Sequence, residues 1–327
     1  MKSNLFLFLI LVFISSCAAP KLTSTNTWSE LTSANGSTPV ARHEAAFIGV
    51  GNKFYLLGGR GVRPVSIYDA TNNTWKNGAE PPVEIHHFQP VVYQNEIYLL
   101  GAMTGKYPGE TPLPHIYIYS PANDNWRKGP EIPEDRRRGG AGVALMNDKI
   151  YLVCGIRDGH RGDHKKWLDE YDLKTGTWKK LSDAPRPRDH FQAVIKNNKL
   201  YALAGRTTVA ATNPFANVIG EVDVYDFKTG TWSTLPNHLP TLRAGNTAID
   251  FGDEILVIGG ESKDQEVAHN EVEGLNVKTK KWQKHAPLSR GRHGTGVIDY
   301  RGKLYMASGC GNHGGEPELD DLIRLSY

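Results

Sequence analysis

An all-β fold, a closed ring of six similar four-stranded sheets, is predicted by three features of the sequence. Tryptophans recur at Trp28, Trp75, Trp126, Trp178, Trp232 and Trp282, with gaps of 47, 51, 52, 54 and 50 residues. Apolar runs that end in a pair of small residues recur in step with them: Tyr55-Leu-Leu-Gly58-Gly59, Tyr98-Leu-Leu-Gly101-Ala102, Tyr151-Leu-Val-Cys154-Gly155, Tyr201-Ala-Leu-Ala204-Gly205, Leu256-Val-Ile-Gly259-Gly260 and Tyr305-Met-Ala-Ser308-Gly309. In the sixth unit Leu325 takes the third-strand place and the matching Trp would fall beyond residue 327, whereas Trp28 has no strands before it. Residues 27–31 are therefore expected to supply the outer strand of the last sheet, which closes the ring and removes an open sheet edge.

Two fixed spacings support the repeat. Seven residues before five of the Trp lies Tyr68, Tyr119, Tyr171, Tyr225 or Leu275. Thirteen residues before each leading Tyr or Leu lies Arg42, Ile85, Arg138, Arg188, Arg243 or Arg292. Unit four shows how such a unit reads as strands. His190–Ile195 is the first, Asn197-Asn198 turns into Lys199–Ala204, Val222–Asp226 is the third, and Lys228-Thr229-Gly230 turns into Thr231-Trp232-Ser233. Strands this short cannot bury a face alone, but sheets stacked around an axis bury both faces. The small pairs permit close approach between sheets, and the Tyr and Trp columns fill the wedges between them.

The columns Arg…Tyr-x-x-Gly-Gly…Tyr-Asp…Trp resemble the kelch repeat, over residues 27–327. The resemblance implies a six-bladed kelch β-propeller. It says little about function, because kelch propellers include binding modules as well as enzymes. Among the enzymes, galactose oxidase looks different in blade number and needs a copper site with a Cys–Tyr crosslink. Bacterial sialic acid epimerases are six-bladed and offer the nearer analogy, one of fold alone.

Residues 1–16 read as a secretory signal: Lys2, an apolar run from Leu5 to Ile14, then Ser15 and Ser16. That run is too short to span a bilayer. Ile14-Ser15-Ser16-Cys17 resembles the lipobox of bacterial lipoproteins, which implies acylation at Cys17 and a short tether over residues 17–26. The expected location is outside the cytoplasm on a bacterial membrane, with Ala18 after the cysteine implying outer-membrane sorting. The membrane is met through the lipid only.

Composition limits partners. Lys+Arg 38 against Asp+Glu 35 leaves a net of +3, which argues against nucleic acid. The chain is expected to be a monomer. Cys154 and Cys310 remain after Cys17, in units three and six, too far apart for a disulfide and suited to be small buried fillers.

Strand alternation puts the connection into strand one and the loop from strand two to three on one face, termed upper. From the strand-two column to the strand-three column the separations vary, 13, 21, 20, 24, 19 and 20 residues, whereas lower connections are nearly constant. Variable loops carry function more often than constant ones. The expected ligand-binding residues are Arg42, Arg138, Arg188, Arg243 and Arg292 of the column, His86, His87, His190 and His293 beside it, and Arg60 and Arg206 past the small pairs. This mouth looks rich in guanidinium and imidazole and poor in carboxylate, suiting an anionic ligand such as an acidic sugar. The repeated Arg also admit a purely structural role, bonding carbonyls or carboxylates between blades.

Three readings of function follow: a lipid-anchored protein binding a carbohydrate or a protein partner on the upper face, an enzyme on an acidic sugar, or an assembly platform. The first leads, and no cofactor is expected. In the enzyme reading Arg188, Arg243 and Arg292 hold a carboxylate while His87, His190 or Glu44 moves protons; no catalytic residue is otherwise assigned. Asp158, His160, Asp163 and His164 could ligate a metal, but Arg and Lys between them oppose it, so none is expected. Arg161-Gly162-Asp163 is too short a match to carry meaning. Trp167 lies outside the columns and is either a stacking platform for a sugar ring or a lid over the core.

Overall fold

The computed structural model describes residues 26–326. The signal segment, Cys17 and the tether up to residue 25 lie outside the described residues. Six four-stranded antiparallel sheets form the blades of the propeller. Blade one runs Ala45–Val50, Lys53–Gly58, Ser66–Asp69 and Thr74–Asn77 from axis to rim. Blade four runs Ala193–Lys196, Lys199–Ala202, Asp223–Asp226 and Thr231–Thr234. Its first strand starts later than the sequence suggests because His190 turns left-handed, at φ 52°. Asn197 and Asn198, at φ 51° and 57°, make the two-residue hairpin expected of them.

The ring closes as predicted. Thr27–Glu30 pairs with Leu322–Ser326, with Trp28 opposite Leu325. Trp28 is buried in a cluster that joins Leu256 and Ile258 of blade five to Leu304, Ile323 and Leu325 of blade six. The other blade contacts follow the same plan: Tyr119 and Trp126 of blade two pack on Tyr55, Leu57 and Ile67 of blade one. The indole N–H of Trp126, Trp178, Trp232 and Trp282 donates to Ala79, Glu131, Ser182 and Asn237 carbonyls, each on the chain entering its own blade. These four half-buried indoles thus combine apolar packing with a satisfied polar edge.

The arginine column has a uniform structural environment. Arg42, Arg138, Arg188, Arg243 and Arg292 are almost fully buried. Each donates to the carbonyl sixteen residues on, at Gly58, Cys154, Ala204, Gly259 or Ser308, where the second strand ends. Four also meet a carboxylate at the start of the third strand: Asp169, Asp223, Glu273 and Asp321. Arg42 instead bonds the Pro64 carbonyl at 2.7 Å and Ser66 Oγ at 3.4 Å. Each guanidinium ties strand two to strand three, and its charge is compensated where it is desolvated. Blade two has Ile85 in the column and the apolar Tyr117 where blades three, four and five have the acid, so donor and acceptor are missing together.

The carbonyls that the arginines hold belong to residues of positive φ: 70° at Gly58, 55° at Cys154, 59° at Ala204, 62° at Gly259 and 59° at Ser308. At Gly259 a Cβ would stand 2.2 Å from the Arg292 carbonyl oxygen, so glycine is required there. Cys154 and Cys310 are both free and buried. Burial pushes the Cys154 thiol up to about 11, although Arg188 and Arg138 oppose it.

Candidate functional site

Two residues past the arginine position, the six blades place Glu44, His87, Gly140, His190, Gly245 and Gly294 around the axis, all at φ between 52° and 63°. Their backbones form a chain of hydrogen bonds from blade to blade. His87 N–H donates to Glu44 O at 3.1 Å, Gly140 to His87 at 3.0 Å, His190 to Gly140 at 2.9 Å, Gly245 to His190 at 2.7 Å and Gly294 to Gly245 at 2.9 Å. Ala45 N–H closes the ring on Gly294 O at 3.0 Å. Three positions are glycine, and three carry chemistry in a conformation that costs ~1–2 kcal/mol for a residue with a Cβ.

Above the ring lies an upper-face cavity of about 580 Å³, lined among others by Glu44, Arg60, His87, Tyr107, Phe215 and Glu261. A small void of about 40 Å³ below it shares Glu44 and His87 and reaches His190. The upper loops hold one another in place. His160 N–H donates to Pro108 O and Ala210 N–H to His160 O, lacing the loops of blades two, three and four. Phe215 stacks on His313 with ring centroids 4.6 Å apart, lacing blades four and six.

Carboxylates are as prominent here as cations, which corrects the expected cationic mouth. Arg60 Nη2 meets Glu110 Oε1 at 2.5 Å, and Arg206 Nη1 meets Glu261 Oε1 at 2.6 Å. His43 Nδ1 meets Glu318 at 2.8 Å. His293 lies between Glu261 at 3.4 Å and Glu44 at 3.6 Å. Burial disfavours an imidazolium, but Glu261 and Glu44 outweigh it and hold His293 well above its usual value. Burial likewise opposes ionisation of Glu44, and the surrounding His87 and His293 bring its carboxyl well below the usual range. Burial drives His87 and His190 the other way, toward the neutral ring.

Of the eleven residues expected to bind a ligand, Arg60, His87 and Arg206 line the cavity. His190 and His293 stand around the axis beneath it, and His86 supports His87 with a 2.6 Å contact between their Nδ1 atoms. Arg42, Arg138, Arg188, Arg243 and Arg292 do not line it; their guanidinium groups are engaged within the blades. Glu44 and Glu261 are legible in the sequence, the latter in the column of Arg60 and Arg206, whereas Tyr107, Phe215 and His160 reach the cavity from irregular loops that carry no repeat signal. Trp167 is not at the cavity. The Arg136 guanidinium stacks on it 4.0 Å from the ring centroid, with Lys165 and Arg138 close by.

Sequence comparison agrees with this architecture. A model of the KLHDC2/KLHL20/DRC7 Kelch-repeats domain matches residues 21–205 and 171–327. The chain belongs to the kelch-repeat family. It is 28% identical over 327 aligned residues to Kelch-like protein terF of Aspergillus terreus, covering 92% of this chain and 69% of that protein. It is 27% identical over 184 residues to Kelch-like protein 40 of Xenopus laevis, covering 53% of this chain and 28% of that relative. Among solved structures, that of YjhT superposes with a TM-score of 0.73 at 16% identity, covering 88% of this chain and 95% of the other. At that identity the match speaks for the fold alone.

Proposed function

We propose that this kelch propeller binds a carbohydrate: a neutral or zwitterionic, hydroxyl-rich molecule held in the upper-face cavity. The observation that carries the reading is the cavity itself, about 580 Å³ in volume, with aromatic Tyr107 and Phe215 beside paired Arg–Glu and His–Glu groups. Such a wall offers donors and acceptors in alternation and a ring face for stacking, which suits sugars. Arg60 and Arg206 already have carboxylate partners, so a strongly anionic ligand would compete with Glu110 and Glu261. Among the described residues the large exposed apolar side chains are Val62, Tyr107, Leu242 and Val267. Tyr107 is the one of them that lines the cavity.

Thermal-shift titration with neutral, amino and acidic monosaccharides tests this. A saturable shift is expected, weakened roughly tenfold or more in Arg60→Ala by loss of a charged hydrogen bond and retained in Arg157→Ala. No shift with any sugar at millimolar concentration would reject it.

A second reading, modification of the sugar by proton transfer, is favoured by the Glu44–His293–Glu261 chain, in which carboxylates and an imidazolium meet at the floor of the cavity. Turnover of a bound sugar, lost in Glu44→Gln, would distinguish it from binding alone. Residues 1–17 support export and anchoring by a lipid on Cys17. Palmitate labelling that disappears in Cys17→Ser is the expected result, and labelling that persists would exclude Cys17 as its site.

A further inference from the structure

Beneath the cavity three imidazoles from three blades converge. His87 and His190 belong to the axial ring, and His160 descends from the upper loop of blade three. Their ring centroids are 4.7, 4.9 and 5.1 Å apart, each pair edge to face. One potential ligand atom from each lies within 4.8 Å of the others, and all three residues are buried.

The partners of the rings decide which nitrogens face inward. His190 Nδ1 bonds Asp189 Oδ1, and His160 Nδ1 lies 2.9 Å from Glu110 Oε1. A carboxylate can only accept, so Nδ1 carries the hydrogen in His190 and Nε2 keeps its lone pair, and the Glu110 carboxylate beside His160 Nδ1 favours the same tautomer there. His87 reaches the same state by a relay. The Gly105 carbonyl, 3.1 Å from His86 Nε2, takes a hydrogen from it, so His86 Nδ1 accepts from His87 Nδ1 at 2.6 Å. His190 Nε2 is buried and has no hydrogen-bond partner. An orphaned lone pair of this kind costs stability unless something fills it.

We propose that His87, His160 and His190 bind a divalent transition-metal ion of the zinc type through their three Nε2 atoms. Imidazole nitrogens ~2.0–2.1 Å from a tetrahedral ion are about 3.4 Å apart, so the rings need only a small inward shift. Asp189 and Glu110 complete two carboxylate–histidine pairs of the kind that orient metal ligands. Three protein ligands leave a position for water or a substrate oxygen. His87 and His160 line the cavity, and Glu44 Oε2 stands 3.5 Å from His87 Nε2, placed to accept a proton from such a water. The site shares a wall with the carbohydrate cavity but does not depend on what fills it.

The test uses the full chain, stripped with chelator and titrated calorimetrically with zinc chloride, then with cobalt(II) followed by visible absorption. One zinc per chain at low micromolar concentration, and the intensified cobalt absorption of a four- or five-coordinate imidazole site, are expected. His160→Gln and His190→Gln should each weaken zinc binding at least 100-fold, Glu110→Gln about 10–100-fold, and His238→Gln, on the exposed surface, not at all. His160 lies on a loop outside the four-stranded sheets, so its variant keeps the propeller, as circular dichroism would verify. No uptake by the folded wild-type chain, or uptake unchanged in His160→Gln, would overturn the proposal. Sugar binding by the chelator-treated chain is scored separately, so the two readings can fail independently.

Discussion

Five arginines of the repeat and two outside it are alike in chemistry and differ in what they meet. Arg138, Arg188, Arg243 and Arg292 are buried against carbonyls and a carboxylate of their own blade, and Arg42 against carbonyls and Ser66. Arg60 and Arg206 stand one strand-end further on, over the axis, each paired to a carboxylate from a neighbouring blade. A side chain demanded by every blade is spent on holding that blade together. The side chains free to face a ligand stand where the repeat pattern varies from blade to blade.

The largest effect should come from breaking a repeated staple. Arg243 and Glu273 are both fully buried, so Arg243→Ala leaves an unpaired carboxylate and should cost about 3–5 kcal/mol in denaturant unfolding. A loss no larger than that of Arg60→Ala, which leaves Glu110 with His160 beside it, would erase the distinction.

The next contrast lies at the carbonyl the arginine holds. Gly259→Ala must strain a φ of 62° and displace the Arg292 carbonyl, costing upward of about 1–2 kcal/mol. Ala204→Gly, at φ 59° in the equivalent place of blade four, should cost nothing or stabilise slightly. Equal effects at the two sites would mean that the blades are not equivalent there.

The axial groups should respond to pH where the staples do not. The folded pKa of His293 is raised, so its stabilisation is fully present below its unfolded value of about 6.5 and is lost as pH rises through the folded value. Wild-type stability should therefore fall by up to ~1.4 kcal/mol per unit as pH rises from about 6.5 to the folded value. His293→Gln should flatten the slope; a parallel slope in the variant would remove His293 as its source.

A small effect is expected at Trp167, whose ring stacks under Arg136 away from the cavity. Trp167→Ala should cost about 0.5–1 kcal/mol for the cation–π contact and leave sugar affinity unchanged. Weakened sugar binding would extend the site to blade three's outer loop.

The sequence by itself determined the ring. Columns of Trp, Tyr, Arg and small pairs at constant spacing set six blades, their hairpins and the closure by Thr27–Glu30, because a sheet needs the same packing at each place in a closed ring. The same columns located the upper face and pointed to Arg60, His87 and Arg206. Only the tertiary structure decided which side chains meet. Glu110 joins Arg60 and His160 from positions 50 residues away in each direction, and Glu44 joins His293 across the seam between blades one and six. Such meetings depend on the paths of irregular loops and on the left-handed turns that aim Glu44, His87 and His190 toward the axis. The turns recur in every blade, but the loop paths leave no periodic trace, because each occurs once, in one blade, and is set by its neighbours in space.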